Sequence, residues 1–190
     1  ASRQAQYRYL LALAQKRDAP FAVLYRNNDS ALPLIDALER AGLPYRCRSF
    51  DDTFFTHRIV CDVQDILCFA AAPDDAERFL RIYYKFGAMI SKEAAQAACV
   101  QSARTHASIL DCLLAQAGLS DEGRERVRRL RAGFESLKTL PGEALMRTIW
   151  GTLGYGSFVA ERRLDPGKYF ILHMLAAREP SAEGFHDGGK

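Results

Sequence analysis

The chain has 190 residues, of which 48% are hydrophobic and 26% are charged, and its formal net charge is +3. A chain of this length and composition buries one or two real cores, which excludes a disordered polymer. It shows neither an apolar run near the roughly 18 residues that span a membrane nor a basic-then-apolar leader. We therefore expect a cytoplasmic protein, and the small positive charge permits nucleic-acid binding without demanding it.

The amino-terminal part predicts helices alternating with strands. Residues 2–17 carry their apolar side chains on one helical stripe. The apolar run 21–25 predicts a short buried strand, and a second strand is predicted over 44–49, after an amphipathic helix over 31–41. These segments together predict a partial α/β layer with two short parallel strands over residues 1–56.

Polar residues follow the first predicted strand. Ligands of open α/β sheets bind at the carboxyl ends of strands, which is where Arg26 and Asn28 fall. Arginine supplies a planar cationic fork and asparagine supplies both a donor and an acceptor, which suits the phosphates and sugars of a single DNA strand. The alternative is a plain turn in which Asn28 or Asp29 caps the next helix and Arg26 is solvated.

Beyond residue 56 the pattern becomes helical, so the chain is expected to be mostly α overall, with a helical domain over 57–190. Residues 57–71 are amphipathic. Asp74 followed by Glu77 predicts a capped helix over 75–84. Further helices are predicted over 91–99, 103–116, 120–138, 141–152 and 166–178.

Several motifs of the chain occur in the same order in one family of motor proteins. The first is Y-R-x-N, then a serine, a helix and A-G-L-P-Y, within residues 25–45. The segment LMRTIWGTLGY at 145–155 is similar to a helix that leads into T-G-Y in that family. The chain resembles the UvrD/Rep/PcrA-like superfamily 1 DNA helicases, strongly over 21–82 and loosely over 83–190. Between the two segments the shared residues are Phe54-Phe55, Asp62, Ile66-Leu67, Pro73-Asp74-Asp75 and Phe79-Leu80-Arg81-Ile82.

The resemblance implies an internal piece of an ATP-dependent 3′→5′ DNA helicase, made of part of the second RecA-like motor domain and the helical 2B insertion. Arg26 and Asn28 match a pair that touches single-stranded DNA in that family. The chain contains neither a GxxxxGK[ST] phosphate loop nor an acidic DExx-type motif for magnesium and water, since its Asp121-Glu122 pair is predicted to open a helix. We therefore expect ATP and Mg²⁺ to be cofactors of a parent enzyme, and this chain alone to be inactive.

The resemblance places a second DNA contact within residues 85–92. The family often carries a G-I-G turn here, whose backbone amides meet duplex phosphates beside the amino terminus of the next helix. The candidate residues are Lys85, Gly87, Ser91 and Lys92, but this chain reads G-A-M where the family has G-I-G. The alternative is an ordinary capped loop between two helices.

Three further features have plainer interpretations. Arginines at 124, 126, 128, 129 and 131 lie opposite an apolar stripe, which predicts a solvated face, with phosphate tracking as the alternative. Tyr83, Tyr84 and Phe86 are expected to pack between helices, with stacking on unpaired bases as the alternative. The four histidines are dispersed and the five cysteines form no CxxC pair, so we expect no metal site and reduced thiols.

Two other functions remain open at this stage. One is a helicase–nuclease subunit of the same superfamily, acting in recombination or repair. The other, of a different class, is a non-catalytic helical protein-interaction module, which the altered G-I-G turn favours. A salt titration of DNA binding separates the two classes, because phosphate contacts weaken steeply as salt rises.

Overall fold

Ten α-helices build the described part of the chain, which comprises residues 3–16, 19–26, 28–47 and 54–177 of a computed structural model. A 3₁₀ turn, Asn28–Ala31, precedes α2, and a single π-helical turn, Thr148–Thr152, follows α8. The helices are α1 (Arg3–Lys16), α2 (Leu32–Arg40), α3 (Arg58–Ala71), α4 (Ala76–Ile82), α5 (Lys92–Thr105), α6 (Ile109–Leu114), α7 (Asp121–Leu137), α8 (Gly142–Arg147), α9 (Tyr155–Glu161) and α10 (Gly167–Ala176).

The predicted α/β layer is wrong, because the described residues contain no β-strand. Residues 21–25 run as an irregular segment instead of a strand, and Leu24, expected in the sheet core, is 96% exposed. The second predicted strand is irregular over 44–47, and its last two residues lie outside the described ranges. A short apolar run forms a strand only beside a partner that satisfies its backbone groups, and the described residues supply none. The described part of the chain is therefore mainly helical, with irregular segments between the helices.

Most predicted helices are confirmed, with local corrections at their ends. Asp75, one residue later than predicted, caps α4 by accepting a hydrogen bond from the Arg78 amide at 3.0 Å. Helix α5 continues to Thr105 and ends where His106 takes a left-handed φ of 57°. The helix predicted over 103–116 therefore shortens to α6. Helix α9 was not predicted at all.

Helices α3 to α10 share one hydrophobic core. Its centre is aromatic, since Phe134 of α7 meets the rings of Phe69 and Phe86 edge to face, with ring centroids 5.1 and 5.3 Å away. Such pairs stabilise a core by about 0.5–1.5 kcal/mol beyond the area they bury. Within the described residues, no helix is both long enough and apolar enough to cross a membrane.

The amino-terminal part docks against the helical core through α10. The Lys168 ammonium lies 2.6 Å from the Asp29 carboxylate and 5.3 Å from the ring centroid of buried Phe54. The Tyr7 hydroxyl donates to the Ser30 carbonyl at 2.8 Å, which joins α1 to the 3₁₀ turn. The domain boundary predicted near residue 56 stays a prediction, but polar links cross it.

Candidate nucleic-acid interface

Arg26 and Asn28 both lie on the surface, at the end of the irregular segment that precedes α2. Neither side chain caps α2, because Ala31 is the N-cap residue of that helix and no side-chain cap hydrogen bond is present. The carboxylate of Asp29, which follows closely in the sequence, pairs with Lys168. Within the described ranges no carboxylate pairs with the Arg26 guanidinium, so its charge faces solvent and can meet a phosphate.

Lys85 is the exception among the predicted DNA contacts, because it lies inside the protein. It is 4% exposed, and its ammonium is 2.6 Å from Asp62 Oδ1. The other Asp62 oxygen accepts a hydrogen bond from the Tyr155 hydroxyl at 2.8 Å. Burial, together with the charge of Asp62, raises the pKa of Tyr155 well above its ordinary value. We call Asp62, Lys85 and Tyr155 the Asp62 triad. Because the Lys85 ammonium is buried within this triad, it does not reach a ligand at the surface.

The turn after Lys85 keeps an open backbone. Gly87 is exposed, and a methyl group added to it would meet no neighbouring atom within 4 Å. Met89 is 80% exposed and takes a left-handed φ of 52°, which costs a residue other than glycine about 1–2 kcal/mol. On its inner side the turn approaches α9, where a Cβ on Gly154 would lie 3.6 Å from the Gly87 amide nitrogen.

The turn leads directly into the amino terminus of α5. Ser91 caps the helix, its Oγ accepting from the Ala94 amide at 3.1 Å, while Lys92 projects from the first helical position and is exposed. The pKa of Glu93 is lowered by hydrogen bonds from its own amide and from Ser91. Glu93 thus places a carboxylate where a helix amino terminus would otherwise attract an anion, while Lys92 adds a positive charge.

The arginines of α7 are largely neutralised by their neighbours. Arg126 pairs with Glu122 and also reaches Met89, with its guanidinium 2.7 Å from Sδ. Arg128 and Arg129 share Glu125. The remaining two contact other parts of the fold: Arg124 donates to the carbonyls of Leu114 and Gln116 after α6, and Arg131 pairs with Asp111 at 3.1 Å. This face is therefore a network of ion pairs that contacts the turn at one point.

Sequence reasoning missed a cluster centred on Phe158 of α9. The Cζ atoms of Arg58 and Arg162 lie 5.7 and 5.8 Å from the centroid of its ring. Tyr84 packs against the same ring, with centroids 6.0 Å apart at an angle of 69°. Because these residues come from three separate segments, and α9 itself was not predicted, no local pattern could place them together. We call Arg58, Tyr84, Phe158 and Arg162 the Phe158 cluster.

Among the described residues we find neither a disulfide bond nor a metal site. Cys99 and Cys112 are buried and the other three cysteines are partly buried, and the reduced state of the thiols stays a prediction. A search of the described residues finds no group of three histidine, cysteine or acidic side chains that could hold a metal ion. No protein-family model matches the chain, and no curated protein matches it either.

Proposed function

We propose that this chain is a DNA-binding segment of a UvrD-like, ATP-dependent 3′→5′ DNA helicase. The observation that supports this most is the left-handed backbone of Met89. Met89 occupies the position of the second glycine of the G-I-G turn in the resembling family, and left-handed φ is the conformation that glycine adopts without cost. A left-handed residue at this position therefore supports the proposal, although methionine stands where the family has glycine.

The turn and α5 are suited to duplex phosphates. The exposed backbone at Gly87 leaves room for the close approach of a phosphate. Lys92 supplies a point charge beside it. Arg26 and Asn28 are proposed to bind the single strand, as exposed side chains that need no rearrangement to reach a ligand. Lys85 takes no part in this proposal, since it belongs to the Asp62 triad.

The nucleotide chemistry is assigned to the parent enzyme. When bound there, ATP with Mg²⁺ supplies the hydrolysis that drives movement along the strand. This chain lacks the phosphate loop and acidic motif that would hold them, so its own residues contribute only grip on DNA. We place the parent in the cytoplasm, with protein partners in repair or replication.

The test is a salt series of DNA binding measured by fluorescence anisotropy. We expect Lys92→Ala to weaken binding of a blunt duplex and to reduce the salt slope by about 0.9, the value for one phosphate contact on B-DNA. Arg26→Ala should instead weaken binding of a single strand, with a slope reduced by about 0.7. The matched controls are Lys16→Ala and Arg104→Ala, which remove exposed charges from the carboxyl-terminal ends of α1 and α5.

Equal effects of the control and test variants would overturn the proposal, since they would leave only non-specific attraction to the net charge. Absence of any salt-dependent DNA binding by the wild type would also overturn it, and would favour the protein-interaction module.

A further inference from the structure

The Phe158 cluster carries positive charge that the fold leaves uncompensated. Arg58 begins α3 and Arg162 follows the last residue of α9, and the guanidinium of each lies over the Phe158 ring. Both side chains are exposed. Within residues 3–16, 19–26, 28–47 and 54–177, neither guanidinium has a carboxylate within 4.0 Å. By contrast, a carboxylate lies within 4.0 Å of the guanidinium in four arginines of α7: Arg126, Arg128, Arg129 and Arg131.

Two guanidinium groups that lie 5.7 and 5.8 Å from the centroid of one ring place two like charges on the same part of the surface, where they repel each other. The ring offsets part of this repulsion, since cation–π contacts at exposed sites are worth about 0.5–1 kcal/mol each. An anion that bridges the two arginines would remove the repulsion and gain charge-assisted hydrogen bonds. The geometry therefore favours a ligand with negative charge at more than one point along its length.

Tyr84 adds a flat apolar surface beside the two charges. Its ring packs on Phe158 and Tyr83, and the buried Lys85 ammonium lies 5.4 Å from its centroid. The side chain is nevertheless 46% exposed, so its outer part faces solvent. An exposed aromatic ring next to cationic groups is the arrangement on which unpaired bases stack while the backbone is neutralised.

We propose that the Phe158 cluster is a binding site for single-stranded nucleic acid. Arg58 and Arg162 contact successive phosphates, and one unpaired base stacks on Tyr84. A nucleic-acid strand fits better than an acidic peptide, because only the strand carries an aromatic face beside each charge. The inference goes beyond the proposed function, since it uses none of the residues assigned there.

The experiment measures binding of a labelled oligo-dT strand to the full chain by anisotropy over a salt series. Tyr84→Ala should weaken binding roughly tenfold, while Tyr84→Phe should bind as the wild type does, because stacking needs the ring alone. The double variant Arg58→Ala/Arg162→Ala should reduce the salt slope by about 1.4, for two phosphates on a single strand. Its matched control is Arg128→Ala/Arg129→Ala, which removes the same charge from α7 and should change the slope far less.

Circular dichroism melting checks that each variant folds. If the alanine pair melts without cooperativity, Arg58→Gln/Arg162→Gln replaces it, since glutamine keeps an aliphatic stem on Phe158. Equal loss in the cluster variant and the α7 control would overturn the site, as would a Tyr84→Ala variant that binds like the wild type. A polyglutamate peptide that competes as well as oligo-dT would also overturn it, in favour of an acidic protein partner.

The site and the proposed function can fail independently. The Phe158 cluster variants should leave blunt-duplex binding by the turn unchanged, and Lys92→Ala should leave oligo-dT binding unchanged. Loss of the Lys92 effect alone would reject the duplex contact and keep the single-strand site.

Discussion

The basic face of α7 and the Phe158 cluster differ in two respects: how close their arginines lie in the sequence, and whether carboxylates neutralise them. Helix α7 holds five arginines in eight residues, yet glutamates one turn earlier pair with most of its exposed ones. The Phe158 cluster draws single arginines from two distant segments, and the described fold gives them no carboxylate. On α7 the run of charge therefore forms an ion-paired helix face, whereas at the Phe158 cluster the described fold brings together charges that have no carboxylate partner.

The largest expected effect concerns the support beneath the Phe158 cluster. Asp62→Ala would leave the buried Lys85 ammonium without its partner, so we expect a loss of about 3–5 kcal/mol in the free energy of unfolding. Asp111→Ala, which breaks the half-exposed pair with Arg131 beside α7, should cost less than about 1 kcal/mol. Urea denaturation measures both. Similar losses in the two variants would show that the Asp62 triad is no more important than a surface pair.

A smaller effect is expected from the hydroxyl of the same triad. Tyr155→Phe removes a hydrogen bond to a buried carboxylate, which should cost about 1.5–3 kcal/mol near neutral pH.

The pH dependence gives a second measure of the same variant. Because the folded state raises the pKa of Tyr155, this residue stabilises the fold fully below pH ~10, and the contribution declines as pH rises further and the unfolded chain loses the proton. The phenylalanine variant should lose less stability between pH 9 and 11 than the wild type in denaturant titrations. Parallel curves for the two proteins would contradict the burial of this hydroxyl.

Met89 provides a prediction at the point where the α7 face contacts the turn. Met89→Gly relieves a left-handed backbone and should stabilise the fold by about 1 kcal/mol, or about 2–4 °C in Tm for a chain of this size. Met89→Ala is the control, since alanine removes the same contact with Arg126 without relieving φ. Calorimetry should rank glycine above methionine and alanine below glycine. A glycine variant no more stable than the alanine one would argue against the strained turn.

The smallest expected effect tests whether the glutamates of α7 keep its arginines from binding DNA. Glu125→Gln frees Arg128 and Arg129 from their shared carboxylate and should strengthen binding of DNA roughly two- to fivefold. Glu143→Gln makes the same charge change on the exposed surface of α8 and is the matched control. If both variants gain equally in anisotropy titrations, net charge rather than local neutralisation governs binding.

The long periodic helices could be predicted, because α3 and α7 repeat their apolar residues over several turns. The prediction of a strand over 21–25 was wrong, because an apolar pattern cannot reveal whether a partner strand exists. Helix α9 was not predicted, because Gly154, Tyr155 and Gly156 are typical of a turn. In the structure, Gly156 lets the Trp150 ring pack against the helix. The exposure of Arg26, Asn28 and Lys92 agreed with their expected surface positions. The burial of Lys85 depends on tertiary packing that no local pattern encodes. The same is true of the placement of Arg58 and Arg162 over one ring.

The contact between the Gly87 turn and Gly154 has a mechanical consequence. The turn presents Met89 and Ser91, and Gly154 immediately precedes the helix that carries Phe158. A Cβ added to Gly154 would already lie in van der Waals contact with the Gly87 amide nitrogen, at 3.6 Å. The space between the turn and the start of α9 is therefore sized for a residue without a side chain, and a side chain longer than that of alanine at position 154 would press on the turn.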